Sequence, residues 1–383
     1  MSRRAYLDWN ATAPILPAAR EAVLAAMDLV GNPSSVHAEG RMARAMMEQA
    51  RTDVAALVGG EAENIVFTSG ATEAANALFA AGLAGCCGRD IVSALTSVVS
   101  ATEHAAVLAA GGADACVIPV DENGLVDAEA LDGILGEIGP ALVAVQLANN
   151  ETGVVQDIPA LAAVVHAAGS VLIVDAVQGP GRLALDLKAL GADALILSAH
   201  KFGGPKGVGA IVFADGRTRL ARAFIAGGGQ ERGQRGGTEN LPGIAGMGAA
   251  ARIAVDTHEV VQKMNHLRSE FELGLNRLTP DIVVLSQGAP RLANTSCFAI
   301  PGIVAEKALI AFDLDGVAVS SGSACSSGKV KASHVLAAMG QPDWVRAGAI
   351  RVSIGPTTTE EELERCLSSL ERQLSRRAKV DAA

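Results

Sequence analysis

Val171-Leu172-Ile173-Val174-Asp175-Ala176-Val177-Gln178 and, a little further on, Ala194-Leu195-Ile196-Leu197-Ser198-Ala199-His200-Lys201 decide the fold. Each is an unbroken apolar run that ends abruptly in polar residues. A run without alternation suits a strand covered on both faces, as in a mostly parallel sheet. Polar residues at the carboxyl end of such a strand stand where open α/β sheets bind ligands. The rhythm extends outward, with strand-like runs at 64–68, 90–93, 116–120, 142–147 and 209–213 and helical patterns between them, as at 158–168. The expected class is α/β: a large domain with a mostly parallel sheet between helices, plus a smaller α+β domain.

The carboxyl-terminal third of the chain indicates the second domain. Residues 244–277 form one or two long helices, charged after Asp256; short strands come next at 282–285, 296–300, 316–320 and 350–353, then a helix from Thr359. The predicted division is 14–255 for the large domain, and 1–13 with 256–383 for the small one. Near the start, helical patterns run from Arg20 to Leu29 and from Val36 to Val58.

The chain has 383 residues, half hydrophobic and only 19% charged, so a substantial core is expected. Its net charge of −10 and 3% aromatic content disfavour a nucleic-acid surface built on cations and base stacking. The six cysteines, Cys86, Cys87, Cys116, Cys297, Cys325 and Cys366, form no C-x-x-C pair. Free thiols in a reducing compartment fit best. No apolar stretch reaches membrane-spanning length, and no signal-like run succeeds the first residues. A soluble, cytoplasmic protein is expected.

Three local constellations point to chemistry. Lys201 comes just after an apolar strand, where burial can strip its ammonium of a proton and leave a nucleophilic amine. Asp175 ends a buried strand and could hold a protonated ring nitrogen, with Gln178 able to reach the same ligand. Thr68-Ser69-Gly70-Ala71-Thr72-Glu73 joins a strand to a helix and offers backbone N–H groups and hydroxyls to a phosphate. Taken singly, each has an ordinary reading: a surface lysine, a turn-capping aspartate, a helix N-cap.

In this order on successive α/β units, they resemble the pyridoxal-phosphate site of fold-type I enzymes. Thr102-Glu103-His104, Asn149-Asn150-Glu151-Thr152-Gly153, Gly228-Gly229-Gln230-Glu231-Arg232-Gly233 and Ser321-Gly322-Ser323-Ala324-Cys325-Ser326-Ser327 narrow the match. The sequence closely resembles the cysteine desulfurases of the NifS/IscS type, in the class V aminotransferase family, from Leu7-Asp8 to Arg351-Val352-Ser353-Ile354-Gly355.

That resemblance implies roles by position. Lys201 matches the lysine that binds pyridoxal 5'-phosphate as a Schiff base, and Asp175 the partner of the pyridine nitrogen. Gln178 and Asn150 match residues that hydrogen-bond the ring substituents, and His104 matches the imidazole stacked on the ring. Ala71, Thr72, Ser198 and His200 match the phosphate site. Thr238 matches a phosphate ligand given by the other subunit of a homodimer. Arg351, with Asn150, matches the substrate-carboxylate site, and Cys325 the nucleophile that takes sulfur from L-cysteine. A sulfur acceptor such as an iron–sulfur scaffold protein is implied as partner, with no metal, membrane or nucleic acid.

The residues themselves support two of these roles. Cys325 sits among Ser, Gly and Ala near Lys329 and Lys331, which favour a thiolate. Cys86, Cys116, Cys297 and Cys366 read instead as small buried hydrophobes. Alternation puts Ile350, Val352 and Ile354 on one face and Arg351 with Ser353 on the other, although a solvated arginine on an edge strand fits the same pattern. His166, His258 and His266 read as ordinary helix residues, and His37 has no assigned role. The departures from the family pattern are Trp9 in the opening motif and Gly236 in the glycine-rich loop. A selenocysteine lyase or a small-substrate aminotransferase of the same fold is the competing reading. A non-catalytic sulfur-relay protein would have lost Lys201, Asp175 or His104, and the glycine-rich loop has no nucleotide P-loop signature.

Overall fold

The computed structural model describes residues 4–86, 95–321 and 333–381. Its centre is a seven-stranded sheet of β1 (Ile65–Thr68), β2 (Thr96–Ser100), β3 (Cys116–Ile118), β4 (Ala141–Gln146), β5 (Val171–Asp175), β6 (Ala194–Ser198) and β7 (Gly209–Phe213). The strand order is β1-β7-β6-β5-β4-β2-β3. The five strands from β6 to β3 run parallel, and β7 is antiparallel to both β6 and β1.

Successive residues of each strand enter different cores, which is why the runs are continuously apolar. Leu172, Val174, Leu195 and Leu197 pack on the face that carries helices α1 (Pro17–Met27) and α2 (Ala38–Leu57). Val171, Ile173, Ala194 and Ile196 pack on the other, with α3 (Ala71–Ala81).

A second sheet, four-stranded and antiparallel, runs β8-β9-β11-β10, with β8 (Val283–Val284), β9 (Thr295–Ala299), β10 (Ser320–Ser321) and β11 (Ile350–Ser353). Its core gathers Phe298, Ile350, Val352 and Ile354 with Phe271 of the long helix His258–Leu278 and Leu363 of Glu360–Asp381. The Phe271 and Phe298 rings meet edge to face at 6.2 Å. Strand Ala5–Tyr6 pairs in parallel with Val317–Ala318, and Ala5 and Leu7 pack in the same core as Leu363 and Leu370 of helix Glu360–Asp381.

The structure can be set against several of these expectations. The strand expected at 90–93 lies outside the described residues, and β2 at Thr96–Ser100 has no counterpart among the expected strands. The long helical stretch divides into Leu241–Ala254 and His258–Leu278. The edge-strand alternative for Arg351 is ruled out, since β11 lies between β9 and β10. Cys86, Cys297 and Cys366 are buried as expected, while Cys116 is only partly so. His37 caps α2, its Nδ1 accepting the Gly40 N–H at 3.3 Å.

Candidate active site

The carboxyl ends of β4, β5 and β6 open into a cleft of about 790 Å³, roofed by Arg351 of the second sheet. Ten of the expected site residues line it: Ala71, Thr72, His104, Asn150, Asp175, Gln178, Ser198, His200, Lys201 and Arg351. Thr238 does not. It is exposed and lines a separate cavity of about 210 Å³ behind the Ser69 turn. Cys325 lies outside the described residues.

Asp175 ends β5 as the last residue of its register with Gln146 and Ile196. Its Oδ1 accepts the Val177 N–H at 3.0 Å, so the turn-capping reading holds alongside any ligand role. Burial raises its pKa, against that backbone bond and the nearby His104 and Lys201.

Lys201 ends the short 3-10 turn after β6. Its Nζ donates to the carbonyls of Asn10 at 2.8 Å and Ala11 at 3.0 Å. Burial first, then the Arg351 and Arg182 guanidinium groups, brings its pKa down to about 8, while Asp175 and Asp8 hold it up. A lysine so placed is a usable base and nucleophile near neutral pH.

His104 begins the helix Ala105–Gly111 and accepts the Ala106 N–H at Nδ1, 3.1 Å away. When neutral it therefore carries its proton on Nε2. Although His104 is exposed to the cleft, desolvation lowers its pKa, helped by Lys201 and His334 and opposed by Asp175. His200 is lowered further, to about 4, by burial and by Lys201 and Lys206, with Thr12 Oγ1 at 2.9 Å from its Nδ1.

Arg351 is 2% exposed. Its Nη1 donates to the Asn150 carbonyl at 2.9 Å and its Nη2 to Asp8 Oδ1 at 2.6 Å, while Nε is buried without a partner. An unmatched N–H on a buried guanidinium suits an incoming carboxylate.

Several participants escape a reading of the sequence. Arg182 is buried and forms no ion pair among the described residues, donating instead to Gln178 Oε1 and to the carbonyls of Gln178, Trp9 and Lys201. By claiming Oε1, it leaves the Gln178 amide nitrogen as the outward donor, here 3.1 Å from the Asn10 carbonyl. Only its position four residues after Gln178 could flag it. Asp8 and Asn10 are visible as motif residues but not as contacts. Glu151 accepts from Ser333 Oγ at 2.5 Å, and burial raises its pKa to about 7. His334 donates to the Glu103 carbonyl at 2.9 Å, so helix His334–Ala338 is fastened beside His104 and Asn150.

Comparison with known proteins supplies the family. The aminotransferase class-V family model matches residues 5–366. A cysteine desulfurase of Cereibacter sphaeroides is 42% identical, covering 96% of this chain and 95% of its own length. The cysteine desulfurase IscS of Dictyoglomus turgidum is 36% identical, covering 97% and 95%. Among solved structures, a NifS-like protein from Rickettsia africae superimposes with a TM-score of 0.87 at 33% identity, over 97% of this chain and 99% of that one. With a strand-end acid, a strand-end lysine of depressed pKa and a buried arginine facing one cleft, and with these relatives along nearly its whole length, the chain belongs to the cysteine desulfurases of the class-V aminotransferase family.

Proposed function

We propose that this protein is a cytoplasmic, pyridoxal-phosphate-dependent cysteine desulfurase. It converts L-cysteine to L-alanine and passes the sulfur, held as a persulfide on Cys325, to an acceptor such as an iron–sulfur scaffold protein. The observation that carries the reading is convergence: ten residues singled out from scattered stretches of sequence line one cleft.

The donor set fits the cofactor. Gly70 precedes helix α3 and supplies no side-chain cap, leaving first-turn N–H groups for a phosphate. Asp175 offers a half-buried carboxylate to a cationic ring nitrogen, and Lys201 an amine to an aldehyde. When bound, the cofactor acts as an electron sink for the substrate's α-carbon.

The chain's own groups do the rest. Asp175 would hold a protonated ring nitrogen, and that cation would in turn offset the desolvation that raises the carboxyl pKa. Gln178, oriented by Arg182, donates from Nε2 to a ring substituent, and Asn150 does the same from the opposite turn. Arg351 holds the substrate carboxylate through its spare Nε–H. Lys201 moves a proton at Nζ, which a pKa of about 8 permits. The Cys325 thiolate attacks the substrate sulfur: a sulfur–sulfur bond forms, the carbon–sulfur bond breaks, and its electron pair stays with the carbon skeleton. That skeleton gains protons and leaves as alanine.

The working unit in this proposal is a homodimer. Thr238, exposed and outside its own cleft, serves the partner's phosphate. Apolar side chains open to solvent near α1 and α2, Met27 at 67% and Val30 at 85%, supply a surface to bury. The test is direct. Purified protein with pyridoxal phosphate, L-cysteine and a thiol reductant should release alanine and sulfide in equal amounts. Absence of alanine would overturn the reading. A rate on L-selenocysteine far above that on L-cysteine would reassign it to selenocysteine cleavage.

A further inference from the structure

The turn proposed to hold a phosphate also holds an acid. Glu73, in the first turn of α3, folds its side chain back so that Oε2 accepts the Ser69 N–H at 2.8 Å. Such a reach-back ordinarily closes a helix N-terminus. Here it sets a carboxylate, its side chain only 8% exposed, within one helical turn of the place for a dianion. Two negative groups that close repel unless a cation stands between them.

The cation is Arg235. Its Nε donates to Glu73 Oε1 at 2.9 Å and its Nη2 to Oε2 at 3.3 Å, while Nη1 donates to the Gly236 carbonyl at 3.2 Å. Arg235 comes three residues before Thr238, in a loop with a rigid seat of its own. Glu231 in that loop forms a bidentate pair with Arg51 at 2.8 and 2.9 Å, both side chains almost fully buried. It also accepts the Phe67 N–H at 2.8 Å, in the strand that leads into the turn.

We propose, on the cofactor reading above, that Arg235 is a positioning residue for the phosphate: it cancels the Glu73 charge beside the Ser69–Thr72 turn and locks that turn to the loop carrying Thr238. Burial works against an ionised Glu73, but the bonds from Arg235 and Ser69 outweigh it and its pKa is lowered. The carboxylate is therefore charged at working pH, and its neutralisation depends on Arg235.

The experiment is to titrate cofactor-free protein with pyridoxal phosphate and with pyridoxal, which lacks the phosphate. Uptake is read by ligand absorbance and by borohydride-fixed label on the Lys201 peptide. Arg235→Gln should weaken pyridoxal phosphate about tenfold or more and leave pyridoxal within about twofold. The double variant Glu73→Gln/Arg235→Gln should recover most of the lost affinity, since no uncompensated charge remains. Arg235→Lys, which keeps the charge, should stay near wild type. Equal weakening of both ligands, a double variant as weak as Arg235→Gln, or an Arg235→Gln protein that binds both normally would each overturn the proposal. Wild-type protein that takes up neither ligand at Lys201 would instead overturn the cofactor reading, and this proposal with it.

Discussion

Arg182 donates through Nη2 to the main-chain carbonyl of Lys201 at 3.1 Å, and it does so as a buried cation with no carboxylate to answer it among the described residues. Such an arrangement is costly, and its own pKa falls to about 9 under desolvation and the nearby Arg351. Its benefit goes to Lys201, which loses its proton more easily beside a second positive charge.

The first prediction concerns that lysine in cofactor-free protein. Its acylation, with peptide mapping across pH, should show a midpoint near 8. In Arg182→Met the midpoint should rise toward the ordinary value of 10.5, and in Arg182→Lys it should stay low. Linkage fixes the sign for stability: the folded state binds fewer protons than the unfolded one between about 8 and 10.5, so this group adds stability as pH rises through that window. An unchanged midpoint in Arg182→Met would remove Arg182 from the account.

Covalent attachment of the cofactor should depend on Lys201 alone. Borohydride treatment of the yellow protein should fix a pyridoxyl label on the Lys201 peptide. Lys201→Ala should lose both colour and label while unfolding at a similar temperature. Label on Lys206 or Lys188 would displace the assignment.

Cys325→Ser should still bind cysteine, seen as a change in cofactor absorbance. It should make alanine more slowly by about a thousandfold or more, because a serine oxygen cannot accept the sulfur. Wild-type protein exposed to cysteine should carry one additional sulfur on the Cys325 peptide by mass spectrometry. Desulfuration by the serine variant at the wild-type rate would place the nucleophile elsewhere.

Thr238 should act across the dimer. One variant lacks Lys201 and another lacks residues 233–238; co-expression gives heterodimers with one intact composite site. Their activity should return to about half that of wild type. If the loop served its own subunit, both sites would stay defective and verified heterodimers would remain inactive.

The parts of this site that sequence makes legible are those fixed by local pattern. Asp175 and Lys201 announce themselves because unbroken apolar runs stop just before them. Strand β2 is hidden because Thr96-Ser97-Val98-Val99-Ser100 has only two apolar residues at its centre and reads as a polar segment. Arg182, Asp8 and Asn10 are hidden as participants for a different reason. Asp8 and Asn10 meet partners 343 and 285 positions away in the second sheet, and Arg182 joins Gln178 and Lys201 to Trp9 from 173 positions away. Trp9, noted as a departure from the family, shows its consequence only in three dimensions. A Cβ on Gly355 would lie 2.2 Å from the indole, so that glycine is demanded by the tryptophan above it. Replacing Gly355 with Ala should cost about 1–3 kcal/mol, read by denaturant unfolding.

The pairing of Asp8 with Arg351 spans 343 positions of sequence, and Ser353 donates its N–H to the Leu7 carbonyl in the same region. The carbonyls of Asn10 and Ala11 that receive the Lys201 amine belong to this first stretch of chain, which Gln178 and His200 hold from the large sheet and Ser353 from the second one. During translation the large sheet can form while its cleft still lacks Arg351. The cleft is thereby closed over its reactive groups only after β11 has been made, and a product truncated before residue 350 would carry the strand-end acid and amine without the arginine that roofs them.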